Sequence, residues 1–276
     1  MNPICDRLAR IVKPVIGMVH LLPLPLSPRY GGNLDDIRNA MLDDARALAD
    51  GGVHALMIEN FGDVPFHGGQ VPPAVVAHMA ALATDLRRAV DLPLGINVLR
   101  NDGLAAMSVA HAAGADFVRV NVLAGARLAD QGILQSIAAD LLRLRAQLGA
   151  QHIRILADVQ VKHSAALAER PLADEIDDTL TRGLADGIII SGSGTGRPAD
   201  LRLLLQARRA VAGRAAVLVG RGVTPRTMAR YARHADGFIV GTALKRDGDA
   251  RQRVDARRVR SMMQAWRACC AESAGT

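Results

Sequence analysis

A chain of 276 residues, half of them hydrophobic, is long enough for one large core. Its apolar runs break within a few residues, far short of the roughly 20 needed to cross a bilayer. The opening "MNPICDRLARIVKP" has no signal-peptide core, so the expectation is a cytoplasmic protein without a membrane span. The net charge of +7 is almost all arginine, lysine occurring only at Lys13, Lys162 and Lys245. Aromatic residues make up 3%, which leaves few platforms for stacked bases, and nucleic acid is not an expected partner. Weak peripheral contact with an anionic membrane is kept open for Arg251, Arg253, Arg257, Arg258 and Arg260. Cys5, Cys269 and Cys270 have no zinc-ligand spacing and no disulfide framework.

Residues 1–13 read as an N-terminal extension, 14–271 as one domain and 272–276 as a tail. The first strand candidate, 15–20, ends in His20; a proline-rich loop, 21–34, carries Arg29 and leads to a helix over 35–50. A second strand, 55–59, ends in Glu59 and Asn60, and a glycine-bearing loop over 60–72 precedes a helix at 73–90. The third strand, 94–98, holds Asn97 before a helix at 102–113. The fourth, 116–121, carries Arg119 and Asn121, two apart and so on one face. A helix over 132–148 is expected next. The fifth strand, 153–158, ends in Asp158, with Lys162 and His163 beyond it and a helix at 174–184. The sixth, 187–191, ends in Ser191 and runs into "GSGTG", before a helix at 198–211. The seventh, 215–219, is followed by Gly220 and Gly222, then a helix at 225–234. The eighth, 237–241, is followed by Thr242 and Lys245, then a helix at 254–271.

Strands alternating with helices predict an α/β fold with a parallel sheet. A weak repeat chooses between a barrel and an open sheet. "GGVHALMIE", "AGADFVRVN", "LADGIIISG" and "HADGFIVGT" lead into the even-numbered strands. Gly is expected to cap the helix that ends there. Four such units predict a single (β/α)8 TIM barrel built in quarters, with phosphate-binding loops after strands six to eight.

In such a barrel the site lies at the C-terminal strand ends. Glu59 and Asp158 are the expected acid/base pair, with Lys162 or His163 stabilising developing negative charge. His20, Arg29, Asn60, Asn97, Arg119, Asn121 and Ser191 are expected to bind substrate. Gly192, Ser193, Gly194, Gly220, Gly222, Gly241, Thr242 and Lys245 are expected to hold phosphate, because glycine lets backbone amides approach an anion. "GSGTG" has neither the dinucleotide spacing nor a G-K-[ST] ending. No cofactor is expected. A divalent metal on His20, Glu59, Asp158 and His163 stays open as an alternative, without a motif behind it.

"VIGMVHLLPLPLSPRYGG", "IEN-GDVPF", "RVN", "ADVQVKH" and "ISGSGTG" together resemble the BtpA/SgcQ family over about residues 12 to 265. The resemblance implies a ribulose-phosphate-binding type of TIM barrel. The family's name comes from a cyanobacterial protein needed for photosystem I accumulation and peripheral to thylakoids. Leu26 stands where the family usually has Gly. The layout is also similar to tryptophan synthase alpha subunits, which place an acidic residue at the end of strand two, as Glu59 is here. The function expected first is an isomerase, epimerase or carbon–carbon lyase acting on a small phosphorylated, sugar-like substrate, in a homo-oligomer. The alternative is a non-catalytic photosystem I or membrane-complex biogenesis factor.

Overall fold

Apolar runs bounded by glycine and polar residues form eight parallel strands that close on themselves. In the computed structural model, which describes residues 3–161, 163–191 and 200–274, the barrel comprises β1 (Val15–His20), β2 (Ala55–Glu59), β3 (Leu94–Asn97), β4 (Phe117–Val120), β7 (Arg154–Val159), β9 (Gly187–Ile190), β10 (Ala216–Val219) and β11 (Gly237–Val240). Each pairs with the next, and β1 pairs with β11 to complete the ring. The helices around it are α1 (Leu34–Asp50), α2 (Pro73–Ala89), α3 (Gly103–Ala113), α4 (Ala138–Gln147), α5 (Leu172–Asp177), α6 (Leu201–Val211), α7 (Met228–Ala232) and α8 (Ala256–Ala274). The protein is a TIM barrel.

The helix expected over 132–148 is shorter than the sequence reading. Its first residues form a strand instead. A three-stranded antiparallel sheet, β6-β5-β8, is built from β5 (Ala126–Ala129), β6 (Gly132–Gln135) and β8 (Ser164–Ala166). Gly132, the first residue of β6, sits at φ +94°, a conformation that glycine tolerates and other residues avoid. Leu134 faces inward with Val122 and Val161, so the sheet has its own small apolar seat beside the barrel.

The quarter repeat has a specific meaning. His54, Asp116, Asp186 and Asp236 precede β2, β4, β9 and β11. Each side chain accepts a backbone N–H from the start of the preceding barrel strand: Val15 to His54 Nδ1 at 3.0 Å, Leu94 to Asp116 at 2.8 Å, Ile155 to Asp186 at 2.8 Å and Val217 to Asp236 at 2.9 Å. The backbone N–H of each of the four residues donates back to the same strand residue. Arg87, Arg145 and Arg208 reach across to the three aspartates. The glycines play a smaller part than expected. Gly114 caps α3 in the left-handed conformation, whereas Gly187 and Gly237 are the first residues of β9 and β11.

Two cores follow from strand alternation. One face of each strand packs outward under the helices. The other faces the barrel axis, where Met18, Met57, Phe117, Leu156, Ile189 and Leu218 meet. Ile4, Cys5 and Leu8 of the N-terminal segment join this inner cluster, so the extension is part of the core. Trp266 of α8 donates from Nε1 to the Lys13 carbonyl at 2.9 Å, which ties α8 to the lead-in of β1.

Candidate active site

The barrel interior changes from apolar to polar at the C-terminal strand ends. His20, Glu59, Asn97 and Arg119 are successive register partners across β1, β2, β3 and β4. Asn121 lies two residues beyond Arg119, Asp158 two beyond Leu156, and Ser191 two beyond Ile189. Alternation therefore turns all of them toward the axis. Glycine takes the corresponding places on the last two strands, at Gly220 and Gly241. A Cβ on Gly220 would stand 2.5 Å from Ile189 Cγ2 and 3.2 Å from Ser191 Oγ. A Cβ on Gly241 would approach the His20 ring at 3.3 Å. The glycines thus let Ile189, Ser191 and His20 pack closely against the backbone on that side of the mouth.

Asp158 is the hub. Arg119 Nε donates to Oδ2 and Nη2 to Oδ1, both at 2.9 Å; Asn121 donates to Oδ2 at 2.7 Å and Ser191 to Oδ1 at 2.5 Å. A carboxylate offers about four lone-pair sites, and these four bonds fill them. Asp158 is thus held by four donors at once, an arrangement that ties its neighbours together. Arg119 is correspondingly committed. Burial works against its charge, but Asp158 and then Glu59 outweigh that and raise it above the ordinary arginine value.

Glu59 is less encumbered. Oε2 accepts from Asn97 Nδ2 at 2.6 Å, while Oε1 lies 3.9 Å from His20 Nε2, beyond hydrogen-bond reach. His20 Nδ1 is 2.9 Å from the Ala250 carbonyl. A carbonyl only accepts, so Nδ1 carries a proton, and Nε2 is the ring nitrogen on the side of Glu59. The ring stacks on Phe61 with centroids 4.3 Å apart. Glu59 and His20 thus present two proton-handling atoms to one side of the mouth.

The remaining expected residues divide. Asn60 is spent on the scaffold: its amide bridges Asp63 and both backbone groups of Leu99, so it stitches the loop after β2 to the one after β3. Arg29 is exposed and lines a separate cavity of about 280 Å3 with His20, Phe61 and Arg253. His163 is exposed, so the four residues weighed as metal ligands are not assembled. Among the described residues no group of three or more His, Cys, Asp and Glu side chains could hold a metal. Gly220 donates its N–H to the Ile190 carbonyl at 2.9 Å, which removes that amide from any anion. Gly222, at φ +66°, and exposed Thr242 stay at the loop tips. Lys162, Gly192, Ser193 and Gly194 lie outside the described residues.

Lys245 is the clearest correction. The turn Thr242–Leu244 after β11 sends its side chain into the helix layer, where Nζ donates to Asp44 Oδ2 at 2.9 Å and is fully buried. Arg253 and the Val254 N–H hold the other Asp44 oxygen. Lys245 has no charge to offer a phosphate.

Two arginines outside the expected set sit at the mouth loops. Arg100, after β3, is buried; burial draws it below the ordinary arginine value against the pull of Asp130, Asp158 and Glu59. Arg221 stands between Gly220 and Gly222. Its Nη1 is buried without a partner, and burial lowers it with no carboxylate in opposition. "GRG" could have pointed to it, since a cation inside a phosphate-type glycine loop has an obvious use.

Residues 11–268 match the BtpA family. This chain belongs to the BtpA family. An uncharacterized protein of Thermococcus kodakarensis is 46% identical over 252 residues, covering 91% of this chain and 94% of the relative. Photosystem I biogenesis protein BtpA of Synechocystis is 44% identical, with 91% and 87% covered. A mitochondrial protein of Caenorhabditis elegans is 30% identical, with 91% of each covered. Among solved structures, the BtpA-family barrel is similar in fold to N-(5'-phosphoribosyl)anthranilate isomerase of Pyrococcus furiosus. That match has a TM-score of 0.54 at 10% identity and covers 93% of this chain and 99% of the isomerase. Thiamine phosphate pyrophosphorylase of the same organism gives 0.54 at 14%, covering 94% and 96%.

Proposed function

We propose that this BtpA-family barrel is an enzyme performing acid/base chemistry on a small phosphorylated, sugar-like substrate, as an isomerase, epimerase or carbon–carbon lyase. The observation that carries the reading is Arg221, a guanidinium with a buried, unpartnered nitrogen in the loop after β10. Loops after the seventh and eighth barrel strands are the recurrent phosphate site of this fold, and a guanidinium nitrogen shielded from water with no partner among the described residues is well matched by an anion. Gly222, Gly241 and Thr242 join it in the proposed phosphate cup; Gly192, Ser193 and Gly194, which follow β9 in the sequence, belong to the same proposal but lie outside the described residues. Glu59 is the proposed general base, with His20 receiving or returning the second proton. Asp158, Arg119 and Ser191 hold the mouth in shape. Fold neighbours that are named for phosphorylated compounds fit this reading but do not carry it.

The test is calorimetric titration with inorganic phosphate. The expected result is binding that weakens about tenfold or more in Arg221→Gln. Unchanged binding in that variant overturns the phosphate cup. Once a substrate is identified, Glu59→Gln is expected to lower its kcat by about 100-fold or more, and an unchanged kcat would remove Glu59 from the chemistry.

A second reading is favoured by the 44% identical relative named for photosystem I biogenesis. In that reading the barrel is a peripheral assembly factor, with exposed Arg257, Arg258 and Arg260 of α8 meeting anionic lipid. Arg253 is excluded from that surface by its bond to Asp44, and Arg251 is paired with Asp249. No helix of the described residues is long and apolar enough to cross a membrane. Flotation with phosphatidylglycerol vesicles at low salt supports this reading, and absence of flotation rejects it. A homo-oligomer is proposed in either case. Leu128 and Ile133, register partners on β5 and β6, remain about half exposed, and light scattering reads the state.

A further inference from the structure

Asn97 and Asn121 each have a buried side-chain carbonyl oxygen, Oδ1, without a partner among the described residues. The residues are only 1% and 4% exposed. Their amide orientations are set by chemistry. Asn97 Nδ2 faces the Glu59 carboxylate at 2.6 Å and Asn121 Nδ2 faces the Asp158 carboxylate at 2.7 Å. Turning either amide over would set oxygen against oxygen, so both orphaned atoms are acceptors. Burying such an acceptor without a donor is costly, and native proteins leave few of them.

Both side chains point into the same mouth. Asn97 is the register partner of Arg119, and Asn121 lies two residues further along the same strand. The surroundings select what fills them. Two carboxylates, Glu59 and Asp158, are matched by two guanidiniums, Arg119 and Arg100, each of which feels both. Among the described residues these carboxylates are offset by the two guanidiniums, with Asp130 also drawing on Arg100, and no group of three or more metal-ligating side chains assembles there. Neutral O–H donors satisfy the two carbonyls without disturbing that balance. A substrate carbonyl does not, because it brings only acceptors.

We propose that Asn97 and Asn121 form an acceptor pair that reads two hydroxyl groups of the ligand, which makes the ligand a polyhydroxylated compound bound through its O–H hydrogens. This rests on the phosphorylated-substrate reading above and narrows it. Glu59 and Asp158 gain a further role, since each holds one asparagine in the orientation that exposes its oxygen.

The experiment is calorimetry on the full chain with inorganic phosphate, D-ribose 5-phosphate and its singly deoxygenated analogues. Ribose 5-phosphate is expected to bind at least about tenfold more tightly than inorganic phosphate, and removal of at least one hydroxyl to cost about tenfold. Asn97→Ala or Asn121→Ala is expected to abolish that discrimination while leaving inorganic phosphate binding unchanged. The deoxy series on the unaltered protein decides the matter if a variant does not fold. If inorganic phosphate binds but every analogue matches its parent, the acceptor pair is overturned and the phosphate reading stands. If neither inorganic phosphate nor any sugar phosphate binds, both fall. Manganese binding that disappears in Asn97→Ala would assign the oxygens to a cation and overturn the proposal.

Discussion

Arg119 grips Asp158 through two parallel hydrogen bonds of 2.9 Å, with both side chains buried. The pair joins β4 to β7 and fixes Asn121 and Ser191 through the same carboxylate. Removing one partner of a buried pair strands the other charge. Asp158→Asn is therefore expected to destabilise the fold by about 3 kcal/mol, measured by urea unfolding. Arg119→Met combined with Asp158→Leu should recover much of that loss. A double variant no more stable than the single one would show that the pair is not a matched unit.

Lys245 and Asp44 make a second buried pair, at the back of the barrel wall. Burial alone would raise the Asp44 carboxyl. The Lys245 charge and hydrogen bonds from Lys245, Val254 and Arg253 outweigh it and hold Asp44 below its usual 3.8. A carboxyl depressed in the fold contributes stability above its unfolded-state pKa, and that stability is lost as pH falls through the folded value. Lys245→Met should destabilise by about 2–3 kcal/mol at neutral pH and flatten the loss of stability below about pH 4. An unchanged acid limb in urea titrations would dissociate Asp44 from it.

His54 occupies the place that aspartate takes in the other three quarters. Burial, helped by Arg267, lowers it from 6.5 to about 4. The fold therefore holds the ring neutral while the unfolded chain takes up a proton. Stability is complete above about pH 6.5 and falls as pH drops toward about 4. His54→Asn, which keeps an acceptor for the Val15 N–H, is expected to reduce the slope of stability against pH in that window. Thermal melts at half-unit pH steps would read it, and an identical slope would count against His54.

Leu26 sits at φ +76° and is exposed. That is the position where the family usually has Gly. Left-handed backbone costs an ordinary residue roughly 1–2 kcal/mol, against roughly 0.5–1 for the extra freedom glycine loses on folding. Leu26→Gly is expected to stabilise by about 0.5 kcal/mol, visible as a small rise in Tm. A fall in Tm would mean that the leucine side chain contributes more than its backbone costs.

The strand ends were legible because alternation needs only local sequence. His20, Glu59, Asn97, Arg119, Asp158 and Ser191 could be assigned to one layer from spacing alone. What each atom does there was not legible, because it depends on contacts between strands far apart in the chain. Asp158 reads like a free carboxylate until its four donors are counted. Lys245 reads like a phosphate ligand until a short turn after β11 redirects it. Arg100 and Arg221 carry no periodic signal, since both stand in loops beyond their strands. The β5–β6 hairpin has "DQG" at its turn, but the helical pattern of the following residues, 138–147, continues backwards across it and masks it in the sequence. The quarter repeat was visible, but its purpose, a side chain capping a backbone N–H of another strand, belongs to tertiary structure.

The ring has its own order of completion. β1 has one neighbour in β2, made early in the chain, and its other neighbour in β11, more than 200 residues later. The Trp266 bond to Lys13 then draws α8 over the same seam. On a ribosome delivering residues in order, the first strand therefore keeps one unpaired edge until nearly the whole chain has emerged. During synthesis this is the edge that a trigger-type chaperone would have most reason to shield, and a truncation before β11 would leave it open for good.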